Sequence, residues 1–211
     1  MMNLPAPLAR TLLVALFAWL LGACSAIVPK PAVMAQYDLG PFAPRGLDEA
    51  FAPVRIEVTA APWLASSAMQ YRLDASDPAQ RRVYVHSRWV SSPPAMLRQA
   101  LARSLGSLEG NGGCRLRIEL DEFIQRFDGA GMSRVEVLVR ASLLPARGDR
   151  VLAARAFELA APAPSADAAG GVLAHREAVG GLVQRLGEWM QILGRDMTGE
   201  TGCEGLVQRG N

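Results

Sequence analysis

The chain has 211 residues, half of them apolar and a fifth charged, with a formal net charge of +2. This is ordinary globular composition, long enough for one domain with a real core, and its near-neutrality gives no electrostatic case for a nucleic-acid partner. Lys30 is the only lysine, and we read the dominance of arginine as base composition, not chemistry.

The first element is a leader. Arg10 supplies a basic start, residues 11–21 an apolar run, and Leu21-Gly22-Ala23 a small-residue cut directly before Cys24. Basic start, hydrophobic middle and small residues at the cut make a secretory signal. Leu at −3 and Cys at +1 make it a bacterial lipobox, in which the Cys24 thiol takes a diacylglycerol and the new amino terminus a third acyl chain such as palmitate. One chain anchors only marginally, so several acyl chains give a lasting anchor. A plain secretory signal with Cys24 incidental is the rival reading. An uncleaved span is the weaker one, because the run falls short of the roughly 20 residues a bilayer requires. Ser25, where inner-membrane retention favours Asp, points by analogy to the outer membrane of a Gram-negative envelope, with the body in the periplasm. Cleavage at residue 23 leaves 188 of the 211 residues.

Residues 24–35, with Pro29 and Pro31, are expected to form an extended tether. Ten such residues hold the body about 30 Å from the lipid at roughly 3.1 Å per residue. Residues 36–203 are expected to form the periplasmic domain and 204–211 a tail. A short strand is predicted at residues 36–39. Residues 54–58 alternate apolar and polar as a half-buried strand does, and 69–73 and 83–86 are two further short strand candidates. Ser92 is a plausible N-cap for a helix over 94–105, with proline in its first turn. Leu97, Leu101 and Leu105 form its buried stripe, and Gly106 stops it.

Gly110-Asn111-Gly112-Gly113 marks a turn into the strongest strand signal, where Leu116, Ile118 and Leu120 alternate with Arg115, Arg117, Glu119 and Asp121. The alternation breaks at Phe123-Ile124, which predicts a bulge or a change of face. Asp128-Gly129-Ala130-Gly131 is hairpin-turn chemistry. Val135, Val137, Val139, Ala141 and Leu143 then form the partner strand, and a turn at 146–149 precedes a third strand over 151–159. These three strands, about 115–160, predict an antiparallel meander. A Pro/Ala linker over 160–167 leads to a helix of about 168–194, with Val172, Val179, Val183, Leu186, Met190 and Leu193 on one stripe. Gly180, Gly181 and Gly187 within that helix suggest close packing on the sheet, since each costs about 1 kcal/mol relative to alanine. The fold expected is a single α/β domain: a mixed sheet containing the meander, flanked by two main helices.

Three cysteines are present. With Cys24 lipidated, Cys114 and Cys203 remain as an even pair in an oxidising compartment, which predicts a disulfide; two buried free thiols are the alternative. Catalytic constellations are lacking. His86 and His175 show no paired-ligand spacing, and His175, beside Arg176 and Glu177, reads as a surface residue. No GxSxG elbow, P-loop or dinucleotide fingerprint occurs. Glu119, Asp121 and Glu122 cluster, the first two on the polar face of a strand, and read as solvated carboxylates. Trp63, Trp89 and Trp189 read as core anchors. No enzyme activity, cofactor or metal is expected.

Tyr37-Asp38-Leu39, then Arg88-Trp89-Val90 with Pro93-Pro94 and a Leu-rich helix, then Leu116–Leu120 with Phe123, resemble the ABC-type transport auxiliary lipoproteins, the PqiC-like family. The likeness runs on through the Phe157 strand to a final helix ending near Trp189, over about residues 35–195. The resemblance implies an outer-membrane lipoprotein working with an ABC permease, its ATPase and an MCE (mammalian cell entry) domain protein in lipid movement between membranes and in envelope integrity. It further implies a compact α/β periplasmic domain and a ring assembly of copies. A lipid-binding or outer-membrane assembly lipoprotein acting without an ABC partner is the alternative, and it predicts a lipid-sized apolar cavity.

Overall fold

The computed structural model describes residues 33–42, 53, 55–106 and 114–196. Cys24, Cys203 and the turn expected at 110–113 lie outside the described residues, as do the leader and most of the tether.

In chain order the elements are β1 (Ala35–Tyr37), β2 (Arg55–Ala60), a 3-10 turn (Pro62–Leu64), β3 (Ala68–Leu73), β4 (Asp77–Trp89), α1 (Pro93–Leu105), β5 (Cys114–Phe127), β6 (Ser133–Pro145), β7 (Ala153–Pro162) and α2 (Ala168–Asp196). The strands form one seven-stranded sheet in the order β1-β4-β3-β5-β6-β7, with β2 also on β5. The long β5 accepts two parallel partners in succession: β2 along Arg115–Leu120 and β3 along Gln125–Phe127. The mixed α/β architecture and the meander β5-β6-β7 are as expected from the alternation.

One face of the sheet carries the helices. Leu116, Ile118 and Leu120 of β5 stand opposite Leu143, Ala141 and Val139 of β6, and Phe157 and Leu159 of β7 continue the same face. All are buried, together with Leu97 and Leu101 of α1 and Val179, Leu182 and Leu186 of α2. One packed face and one wet face is the usual arrangement for antiparallel strands. The expected break in alternation is a bulge at Asp121: Leu120 pairs with Val139, but Glu122 pairs with Leu138. One extra residue inverts the parity of everything downstream. Phe123 and Gln125 therefore continue on the helix face, while Glu122 is turned to the wet face.

The wet face is a lattice of arginine and carboxylate. Glu122 holds Arg81 at 2.7 Å and Arg72 at 3.3 Å. Arg126 lies 3.0 Å from both Asp74 and Glu136, and Arg140 lies 2.8 Å from both Glu119 and Asp121. The expectation of solvated carboxylates holds for Glu119 and Asp121 but not for Glu122, whose side chain is only 14% exposed; each is matched to a cross-strand cation.

Several expectations require correction. The first strand is Ala35–Tyr37, one residue inside the stretch assigned to the tether and shorter than 36–39. β4 spans Asp77–Trp89, far beyond 83–86. Its polar first half persists because Arg81 meets Glu122 and because the Asp77 carboxylate accepts the Ala79 and Gln80 N–H groups at the turn. The helices run Pro93–Leu105 and Ala168–Asp196. Ser92 occupies the N-cap of α1, but its hydroxyl makes no capping bond; Gly106 closes the helix at φ +72°. Trp63 is half exposed, not a core anchor, with the Arg81 guanidinium 5.6 Å from its ring centre.

Candidate functional site

The motif residues converge at one corner of the sheet. Tyr37 and Trp89 are register partners between the parallel strands β1 and β4, and the Val90 N–H donates to the Tyr37 carbonyl at 2.8 Å. The Trp89 indole is buried and meets Phe123 edge-on at 5.6 Å between ring centres. Leu39 is buried beside this corner, and Pro93 is buried at the start of α1, where its missing N–H costs nothing. Pro94 is half buried, and Arg88 points to solvent. Trp189 belongs elsewhere: it packs edge-on against Phe157 at 5.9 Å, far along α2. Tyr37, Leu39, Trp89, Pro93 and Phe123 thus lock β1, β4, α1 and β5 together. Their role is to build the corner.

His175 overturns the surface reading. It is 2% exposed, with Trp89 at 5.2 Å and Phe123 at 4.1 Å between ring centres. Its Nδ1 carries the proton and donates to the Gly171 carbonyl at 2.8 Å, while Nε2 has no hydrogen-bond partner. Burial pushes its pKa down to about 4, against a small opposing effect of the Gly171 bond. The ring is neutral at physiological pH and faces no nucleophile, so it acts here as a packing group.

A second feature that the sequence reading missed is Gln125, buried in the same layer. Tyr84 Oη donates to its Oε1 at 2.9 Å. Its Nε2 donates to Ser133 Oγ at 2.8 Å and to the Asp167 carbonyl at 3.1 Å. The Tyr84 pKa is raised, chiefly by burial and further by Tyr71 and Asp167. Gly171 lies directly on the Gln125 amide, and a Cβ there would overlap it. The close helix–sheet approach is therefore at Gly171; at Gly180 a Cβ would meet open space, and at Gly181 only an ordinary contact with Leu159. Asp167 caps α2: its carboxylate accepts the Gly170 N–H at 2.7 Å and the Ser165 hydroxyl at 2.8 Å, bonds that hold its pKa below the usual range.

On the outer side of the corner, the exposed face of α1 and the turn after β1 enclose an open groove of about 880 Å³. Leu39, Phe42, Val90 and Met96 form its apolar part, and Arg98 and Arg103 line it from α1. Asp38 shapes the turn by accepting the Gly40 N–H at 2.7 Å, and Gly40 takes φ +68° against the Arg176 side chain. Arg98 and Arg103 are exposed and have no acidic partner among the described residues. A smaller groove of about 380 Å³, lined by residues 55–58, shares Arg98 and Ala102. Among the described residues, no three His, Cys, Asp or Glu side chains gather at metal-binding distance, and no helix is long and apolar enough to cross a membrane. The groove thus combines an apolar floor with two cations that lack an acidic partner among the described residues.

Cys114 is buried at the first position of β5.

Comparison with known proteins agrees with the motif reading. The sequence model of the ABC-type transport auxiliary lipoprotein component family matches residues 52–187, well over half of the chain. A crystal structure of a Xanthomonas campestris protein superposes with a TM-score of 0.64 at 22% identity, covering 77% of this chain and 98% of that one. A second crystal structure, of an uncharacterized protein, gives a TM-score of 0.56 at 14% identity, covering 75% and 99% respectively. At these identities the likeness establishes the fold alone. No curated protein matches the chain. The match spans β2 through most of α2, which includes Trp89, Pro93 and Phe123 of the corner but not Tyr37 or Leu39, and the chain belongs to the ABC-type transport auxiliary lipoprotein component family.

Proposed function

We propose that the protein is a non-enzymatic accessory subunit of an ABC/MCE-type intermembrane lipid transport system. Cys24 is acylated and anchors it in the outer membrane, and the α/β body docks the periplasmic conduit formed by an MCE-domain protein served by an ABC permease and its ATPase. The observation that carries this reading is the family match over the folded body. It is supported by the side-chain chemistry: the carboxylates of the wet face are committed to arginines, and the buried histidine faces no reactive group. Such a domain holds and positions. Copies assembling into a ring, and a Cys114–Cys203 disulfide tying β5 to the chain beyond α2, belong to the same reading.

The experiment is a chromosomal deletion complemented with the wild-type chain or with Cys24→Ala. The wild type should fractionate with the outer membrane and restore the permeability barrier to detergents; Cys24→Ala should be released into the periplasm and fail to restore it. A deletion strain with an intact barrier and unaltered lipid distribution would remove the support for a transport role.

A further inference from the structure

The corner where the chain enters the domain carries a second surface, distinct from the α1 groove. Met34 precedes β1 and is 39% exposed; Val83 and Val85 on β4 are 52% and 74% exposed, and Trp63 is 52% exposed. They are strung along β4 and its partners, across the irregular pairing between Val83 and Arg88. The Trp63 ring holds the Arg81 guanidinium, Arg81 donates to Gln70 Oε1 at 2.9 Å, and Gln70 is the register partner of Val83. Val85 lies midway between Val83 and Ser87, and Ser87 is the partner of Ala35, next to Met34. Arg88, opposite Gln36, is exposed and has no acidic partner among the described residues. An indole flanked by aliphatic side chains and arginines suits the boundary between acyl chains and phosphate groups.

Covalent reach bounds what can cover this surface. Met34 is ten residue steps from Cys24, and ten extended steps span at most about 35 Å. An anchor at Cys24 therefore keeps the start of β1 within about 35 Å of the bilayer, a reach that permits contact as well as the extended stand-off.

We propose that the β1–β4 edge is a membrane-seating surface, on which Trp63, Val83, Val85 and Met34 enter the interface of an anionic phospholipid bilayer and Arg88 meets its phosphates. This rests on the acylation of Cys24, and the test separates the two. The full acylated protein is reconstituted into vesicles of phosphatidylethanolamine and phosphatidylglycerol, with or without brominated acyl chains. Trp63 is the exposed tryptophan of the domain, since Trp89 and Trp189 are buried, so the difference between wild type and Trp63→Phe isolates its emission. Bromine should quench that emission. The double variant Val83→Asp, Val85→Asp should still float with the vesicles, keep its thermal midpoint and lose the quenching. Protein that floats with unquenched Trp63 overturns the membrane-seating surface and leaves the anchor standing. Protein that does not float overturns both. Shielding of Trp63 that grows with protein concentration without lipid assigns the edge to a second copy and overturns the proposal.

Discussion

Protonation of His175 should destabilise the protein as pH falls from 6.5 toward 4. The ring sits between Trp89 and Phe123, its one bond is to the Gly171 carbonyl, and its Nε2 is buried without a partner. A second proton on that ring would be a buried charge bearing an N–H with no acceptor. The unfolded chain takes the proton near 6.5, the folded chain near 4. Between those values the unfolded state binds more protons, so stability is full above pH 6.5 and is lost as pH falls toward 4. At 1.36 kcal/mol per pH unit the loss is about 3 kcal/mol, a large part of the 5–15 kcal/mol typical of a folded domain. Asp121 and Asp167 have pKa values below their ordinary 3.8, held there chiefly by Arg140 and by the Gly170 N–H. Their contributions disappear at lower pH, outside the histidine window. The assay is urea denaturation at pH 7.5 and 4.5 for the wild type and for His175→Leu, which fills the site without titrating. The wild type should lose about 3 kcal/mol between the two pH values, and the variant only a fraction of that. Equal losses in the two proteins, or an NMR titration placing His175 near 6.5, would show that the buried ring is not the group that titrates.

Two glycines on one helix should respond in opposite directions. Gly171→Ala places a Cβ against the Gln125 amide and should destabilise by about 1–3 kcal/mol; Gly180→Ala meets open space and should stabilise by up to about 1 kcal/mol, both read from thermal midpoints. Asp167→Ala removes the cap of α2 and should cost about 1 kcal/mol in urea denaturation, and Asp167→Asn should recover most of it. The proposed Cys114–Cys203 bond closes a long loop and should contribute about 4–5 kcal/mol in the chain-entropy model. Thiol titration of unfolded, unreduced protein should then find neither cysteine free, and two free thiols would eliminate the bond.

How much of this was legible in the chain depended on whether neighbours in sequence share a face. On β5 and β6 they alternate, so Leu116 to Leu120 and Val135 to Leu143 announced both the strands and their buried side. The disturbance at Phe123-Ile124 revealed the bulge two residues late, because the extra residue is the polar Asp121, which fits the wet face on either side of the insertion. His175 was misread from Arg176 and Glu177, yet adjacent helix residues point about 100° apart. Gly171, His175, Ala178 and Leu182 at spacings of four, three and four form the informative stripe. β4 was underestimated because Gln80-Arg81-Arg82 looks like a loop until Glu122 is brought from another strand to meet it. The location of the α1 groove and the choice of Gly171 over Gly180 were not legible at all, since both depend on which side chains the fold sets opposite them. The family was legible from motif order because Tyr37, Trp89, Pro93 and Phe123 are the residues that make the corner.

Direct binding tests whether this lipoprotein docks an MCE-type conduit. The acylated protein, held in vesicles through Cys24, is titrated with the purified periplasmic region of its cognate MCE-domain protein, alongside the variant Arg98→Glu, Arg103→Glu in the α1 groove. Binding to the wild type should be saturable, and vesicles lacking it should bind nothing. The double charge reversal asks whether the groove is the docking site. Absence of binding to folded, membrane-held wild-type protein would contradict the account.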